Sequence, residues 1–273
     1  LREASEINIP LVNFSGGEPF VYRKLLAESI QTASSLKIRS RVTTGGYWAT
    51  SLKASLLSLE PLKHSGLSEL FISVSDAHLE FHNMNNVLNA VRAAREFGVD
   101  PYLVLAHSSN AKISVDSIIE QFEGFKIPVP QIQYTPIIPF GRAKENYYDA
   151  IKLHDNDGTH NGICHSIMRH PTIYPNGQVA ACGVIFGSTN KVLQFGNIID
   201  ETLSTILERM NYSPFANYIS HFGLNKLIEQ LPEENKIEIG SCHENICHLC
   251  GDILHNEDAV KYLKEIDYLP NVD

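Results

Sequence analysis

Strand-like and helix-like stretches alternate between residues 7 and 138, and this alternation limits the fold more than any other property of the chain. Residues 7–14 read as a strand ending at Gly16-Gly17. Residues 22–36 then repeat apolar side chains at helical spacing, with Leu25, Leu26, Ile30 and Ala33 on one face. Residues 39–44 form a second strand closed by Gly45-Gly46, and residues 50–64 a helix around Leu52, Leu56, Leu57 and Leu59. Residues 70–74 are apolar enough for a buried strand, and residues 84–97 form a helix stopped by Gly98. A strand at 99–107, a helix at 115–122 and a strand at 132–138 complete the series. Such βα units, spaced by roughly thirty residues, build either a doubly wound sheet or a (β/α) barrel.

No Gly-x-Gly-x-x-Gly follows the first strand, which counts against a dinucleotide-binding sheet. A partial (β/α) barrel is the expected architecture, with reactive groups at the C-terminal strand ends. Those ends are residues 16–18, 44–48, 73–78, 106–110 and 136–142. The pattern changes near residue 144. Residues 145–163 are polar, and residues 171–184 carry a hairpin signal around Asn176-Gly177. Helices are expected at 200–210, 213–231 and 256–265. The domains expected are a barrel over 1–143, a linker over 144–163 and a small domain over 164–273.

With 273 residues the chain can bury a sizeable core. Its net charge of −9 argues against a nucleic-acid partner, because neutralising phosphates takes clustered Lys and Arg. No apolar run reaches the length of a membrane span, so no membrane association is expected.

The five cysteines all lie from Cys164 onward. Cys164 and Cys182 flank the expected hairpin, which brings them close together. Cys242, Cys247 and Cys250 follow later, with Cys247 and Cys250 spaced to bind one ion from a tight turn. An odd number of clustered thiols in a chain this large points to metal or cluster ligation in a reducing cytoplasm rather than to disulfides. Spacing alone leaves zinc and an iron–sulfur cluster both open, with Cys242 an alternative ligand or a bystander. Upstream, Gly16-Gly17-Glu18 at a strand end either turns the chain or lets a ligand approach the backbone, with Glu18 neutralising a bound ammonium.

Ser15-Gly16-Gly17-Glu18-Pro19-Phe20 resembles the Gly-Gly-Glu motif of the radical S-adenosylmethionine enzymes, which holds the cofactor's methionyl amino group. Thr44-Gly45-Gly46 resembles that family's Thr-Asn-Gly strand end, with Gly45 in the place of Asn. Residues 72–78, with Ser73 and Ser75, are similar to its fourth-strand segment, and Pro139-Phe140-Gly141-Arg142-Ala143 to the end of its sixth strand. The run from Cys164 through Gly177 to Cys182 resembles the start of the family's SPASM and twitch extensions, which carry auxiliary [4Fe–4S] clusters. Five cysteines imply the shorter, twitch-like form with one such cluster.

The resemblance implies S-adenosylmethionine bound by Ser15, Gly16, Gly17, Glu18, Thr44, Ser73 and Ser75. It also implies an auxiliary cluster on Cys164, Cys182, Cys247, Cys250 and Cys242. The family's Cys-x3-Cys-x2-Cys signature precedes Gly-Gly-Glu, whereas here no cysteine precedes Cys164. Either a preceding segment supplies that second [4Fe–4S] cluster or the chain is a degenerate member. The implied activity is a 5′-deoxyadenosyl radical directed at a substrate C–H, in a ribosomally made peptide or a small molecule, with a flavodoxin or ferredoxin as electron donor. A sulfatase-maturase-like activity and a non-catalytic zinc- or cluster-bearing peptide-binding protein are the alternatives. Asp76 and His78 are candidates for an acid/base pair. Arg142 is a candidate for holding a carboxylate, and His243 and His248 for hydrogen-bonding cluster sulfurs.

Overall fold

The computed structural model describes residues 1–107, 111–147, 154–155, 162–183, 187, 190–239, 242–243 and 245–265. The chain divides into two compact units, Leu1–Pro136 and Ile137–Asp273.

The first unit opens with α1 (Arg2–Glu6), a short helix that the sequence pattern did not suggest, so the first strand is trimmed to β1 (Leu11–Phe14). A single 3₁₀ turn (Pro19–Tyr22) leads into α2 (Arg23–Ser35). Then come β2 (Arg39–Thr44), α3 (Leu52–His64), β3 (Glu69–Val74), the one-turn α4 (Asp76–Leu79), α5 (Met84–Glu96) and β4 (Asp100–His107). The unit ends with α6 (Val115–Gly124) and β5 (Gln131–Pro136). Serines start three of these helices: Ser51 accepts from Ala54 N–H, Ser75 from His78 N–H, and Ser114 forms a capping box with Ser117.

All five strands are parallel and pair in sequence order, β1-β2-β3-β4-β5. A doubly wound sheet reverses its order at a switch point, and this one never does. The fold is therefore α/β, with one parallel sheet advancing in a single direction, the arrangement of a partial (β/α) barrel. Side chains alternate with the pleat. Val42, Leu70, Ile72, Val74, Leu103 and Leu105 are buried in one core with Ile30, Leu59, Leu62, Val91 and Phe122 of the helices. Burying a side chain of this size contributes about 1.5–3 kcal/mol. On the opposite face Arg39 and Arg41 both pair with the buried Glu69, each at 2.6 Å, at the N-terminal ends of β2 and β3.

In the second unit, α7 (Arg142–Tyr147) comes first, and β6 (His154–Asp155) pairs antiparallel with β10 (Cys242–His243). The expected hairpin is β7 (Thr172–Ile173) and β8 (Gln178–Ala180), with Gly177 at φ 82° in the turn. A third strand, β9 (Gln194–Asn197), extends it. Helices α8 (Leu203–Asn211), α9 (Pro214–His221), α10 (Leu224–Glu229), α11 (Glu233–Ile239), α12 (Ile246–His255) and α13 (Glu257–Glu265) follow. The single helix expected over 213–231 is two, because Gly223 at φ 86° takes the chain out of helical conformation between α9 and α10. No helix among the described residues is long and apolar enough to cross a membrane.

Candidate functional site

Parallel pairing places the C-terminal ends of β1, β2 and β3 along one edge of the sheet, and three candidate segments meet there. Gly16 and Gly17 follow β1 with φ of 88° and 49°. A Cβ added to either would meet nothing within 4 Å, so this stretch of backbone faces open space. Ser15 beside them is exposed.

Glu18 ties the β1 end to the β2 end. Its Oε1 accepts the Phe20 N–H at 3.1 Å and the Thr44 hydroxyl at 2.8 Å, and its Oε2 accepts the Gly45 N–H at 2.8 Å. A carboxylate offers about four acceptor positions, so one remains, on Oε2. Thr44 has none left, because its oxygen also accepts from the Trp48 indole at 3.0 Å and the Gly46 N–H at 3.1 Å. Trp48 is buried and stacks on Phe20, with ring centroids 4.1 Å apart, which fixes both loops. Of the two aromatic neighbours, Trp48 is thus framework, while Tyr47 is exposed.

Two asparagines that sequence reasoning passed over support the same loop. Asn86 on α5 donates to the carbonyls of Gly46 and Tyr47, and Asn89 to that of Ala49. Asn86 is buried and Asn89 half-buried on a largely apolar helix, and a buried amide must find a partner.

The β3 end contributes Ser75 and His78. The Ser75 hydroxyl lies 2.7 Å from His78 Nδ1 and accepts the His78 backbone N–H at 3.3 Å. Burial, helped by the neighbouring His82, lowers the His78 pKa, and the pull of Glu18 only partly opposes this. Asp76 does not bond His78. Its two oxygens accept the backbone N–H groups of Lys112 and Ile113, latching the turn that leads into α6. Ser73 sits within β3, in register with Val104. Residues 108–110 after β4 lie outside the described residues. Arg142 opens α7, and its side chain also lies outside the described part of the structure.

The thiols belong to the second unit. Cys247 and Cys250, expected on a tight turn, lie instead on the first turns of α12, because the Asn245 side chain accepts the N–H groups of Cys247 and His248 and starts a helix there. Burial pushes the Cys247 thiol up to about 11, with Cys164 and Cys182 adding to the shift. Burial raises Cys250 further, and all three of those other cysteines contribute. Cys164, Cys182 and Cys250 thus pack, partly buried, against an apolar core that includes Leu249, Ile253 and Leu224, and Cys247 lies near enough for the others' charge to act on it. The helix N-terminus would favour thiolates, but burial and mutual repulsion win. Among the described residues no three His, Cys, Asp or Glu side chains stand in the arrangement that binds a metal ion. The donor chemistry suits a thiolate-held centre, while the sulfurs share a neighbourhood rather than a ligand geometry. The side chain of Cys242 lies outside the described part.

His243 and His248 bring their Nε2 atoms to Asp252 Oδ2 at 3.1 and 3.3 Å. Burial raises the Asp252 carboxyl, but the two imidazole contacts outweigh it and bring it to about 2. Phe140 stacks on His255 and meets His248 edge-on, so residues just beyond β5 pack against the cysteine-bearing helix.

No protein-family model matches the chain. The Bacillus subtilis (strain 168) protein named "Putative peptide biosynthesis protein YydG" is 24% identical over 269 residues, which span 95% of this chain and 81% of that protein. Among solved structures, native anSMEcpe with bound AdoMet aligns over 97% of this chain and 88% of its own, with a TM-score of 0.50 and 14% identity. A histidine-tagged form of anSMEcpe with bound AdoMet aligns over 94% of this chain and 81% of its own, also with a TM-score of 0.50 and 14% identity. At these identities the likeness is one of fold, and the fold is that of the radical S-adenosylmethionine enzymes.

Proposed function

We propose that the chain binds S-adenosylmethionine at the C-terminal ends of β1, β2 and β3 and, as a radical S-adenosylmethionine enzyme, modifies a C–H bond of a peptide. The observation that carries this is the pairing of an open, side-chain-free backbone at Gly16-Gly17 with a Glu18 carboxylate that keeps one acceptor position on Oε2. Such a carboxylate takes an ammonium, and such a backbone admits a ligand close to its amides. Bound S-adenosylmethionine supplies a 5′-deoxyadenosyl radical once an electron reaches it, and the protein's part is to orient the substrate and exclude water. Thr44, Trp48, Phe20, Asn86 and Asn89 hold Glu18 and its neighbouring loops in place.

A reducing [4Fe–4S] cluster, as the family resemblance implies, would take its electron from a flavodoxin or ferredoxin. Cys164, Cys182, Cys247 and Cys250, with Cys242 as a fifth candidate, would hold an auxiliary [4Fe–4S] cluster. Clustered thiols of this kind suit a reducing cytoplasm. The peptide substrate is supported by the name of the Bacillus subtilis relative.

The test is anaerobic incubation of the iron-loaded, full-length protein with S-adenosylmethionine and dithionite. 5′-Deoxyadenosine should form, and Glu18→Ala should abolish it, with Thr44→Ser as the control that perturbs the same network but keeps the carboxylate. A protein that neither binds nor cleaves S-adenosylmethionine would overturn the proposal.

A further inference from the structure

Gly45 does not need to be glycine for its backbone, since its φ lies outside the left-handed region that disfavours side chains. A Cβ built there would lie 3.5 Å from Glu18 Oε2 and 3.8 Å from His78 Cδ2, in ordinary contact with both. The imidazole of His78, arriving from the end of β3, is thus a direct neighbour of any side chain that position 45 would carry. In the Thr-Asn-Gly strand end that this segment resembles, that side chain is an asparagine.

Ser75 Oγ accepts the His78 backbone N–H at 3.3 Å and stands 2.7 Å from Nδ1, a separation at which its hydroxyl can donate to that nitrogen. A neutral ring that accepts at Nδ1 carries its proton on Nε2. The Cδ2 side of the ring, to which Nε2 is bonded, is the side that reaches toward position 45, where Glu18 Oε2 also lies. In the tautomer in which Ser75 donates to Nδ1, this side of the ring presents an N–H in the neighbourhood of Glu18 Oε2.

An acceptor for ammonium beside a donor for an anion matches an α-amino acid head group, whose ammonium nitrogen and carboxylate oxygens lie only about 3 Å apart. We infer that His78 donates from Nε2 to the carboxylate of the same methionyl head group whose ammonium Glu18 accepts, taking over from β3 a contact that position 45 on β2 cannot make. The inference rests on S-adenosylmethionine being the ligand of this edge.

It is tested by equilibrium binding of S-adenosylmethionine and of its decarboxylated analogue to the full-length protein. His78→Ala should weaken S-adenosylmethionine roughly 10- to 100-fold, the range for a hydrogen bond to a charged group. Binding of the decarboxylated analogue should change by less than about twofold, within the scatter of additive effects. His78→Gln, which keeps an N–H donor, should recover part of the loss. Gly45→Asn alone should weaken binding by crowding His78, and Gly45→Asn with His78→Ala should bind better than His78→Ala alone.

Equal weakening of both ligands by His78→Ala, or no weakening of either, would overturn the role of His78 alone. Wild-type protein that binds neither ligand would overturn the cofactor assignment and this inference with it.

Discussion

Thr44 Oγ1 stands 2.8 Å from Glu18 Oε1 and joins the ends of the first two strands through a hydroxyl with no hydrogen-bonding capacity to spare. Thr44→Val keeps the shape and removes all three bonds. The Trp48 indole N–H and the Gly46 N–H, both in buried surroundings, would lose their acceptor, and each unsatisfied buried donor costs about 1–3 kcal/mol. The expected loss of unfolding free energy is about 2–4 kcal/mol in urea titration. Thr44→Ser, which keeps the oxygen, should lose less than about 1.5 kcal/mol. Equal losses for the two variants would show that the methyl group, not the hydroxyl, carries the site.

The strand–helix alternation was legible because its determinants are local: an alternating strand at 39–44, a short apolar run at 70–74, helical spacing in 84–97, and glycine stops. The Gly-Gly-Glu segment was legible for the same reason. What escaped was set by long-range contacts. Nothing near Asp76 in sequence announces that its oxygens meet the N–H groups of Lys112 and Ile113, so it read as a partner for His78. The turn expected at Cys247 and Cys250 was a helix because of one residue, Asn245, whose cap was overlooked among the conspicuous cysteines. Gly223 was passed over inside a helical pattern that its positive φ breaks.

Glu69 lies at the far ends of the strands from Glu18, with its side chain only 5% exposed, and it holds Arg39 and Arg41 together. Arg41 also lies over the Phe71 ring, 3.9 Å from its centroid. Glu69→Gln should leave two guanidinium groups without a counter-charge. Both retain some solvent, which limits the penalty to about 1–3 kcal/mol rather than the larger cost of a fully buried pair. S-adenosylmethionine binding should be unchanged, because the N-terminal strand ends of such a sheet serve stability. A thermal melt together with a binding isotherm separates the two effects.

His78 should impose a pH dependence on stability. Its folded pKa lies below the ordinary 6.5, burial being the main cause, so the unfolded chain takes up the proton more readily than the folded one. The contribution is fully present above pH 6.5 and is lost as pH falls through the lowered folded value. Replacing His78 with Gln removes the titration, so the variant's stability should decline less steeply than wild type below pH 6.5. Parallel pH profiles of the two proteins would contradict the burial of a neutral imidazole.

Iron content tests the thiol set without any assay of turnover. Cys182 reaches Cys250 through charge although 68 residues of sequence separate them, counting from 182 to 250. If both belong to one cubane, either Cys182→Ala or Cys250→Ala should remove about four iron atoms per chain from the anaerobically reconstituted protein. Zinc uptake in place of iron, or iron content unaffected by both substitutions, would refute the cluster assignment.

Gly251 lies in α12, one residue beyond Cys250, and the outer edge of the Phe140 ring packs against the place where a side chain would begin. A Cβ at this position would overlap the ring and displace it, and the ring also contacts His248 and His255 on the same helix. Gly251→Ala should therefore destabilise the second unit by about 1–3 kcal/mol, the usual cost of overpacking, even though alanine favours a helix. Phe140→Ala should cost more by leaving a cavity, about 3–5 kcal/mol. Combining the two should cost clearly less than their sum, since the methyl group then occupies space the ring has left. Guanidinium titrations of the three variants measure this coupling directly. Strict additivity would mean that the ring and the helix do not press on each other.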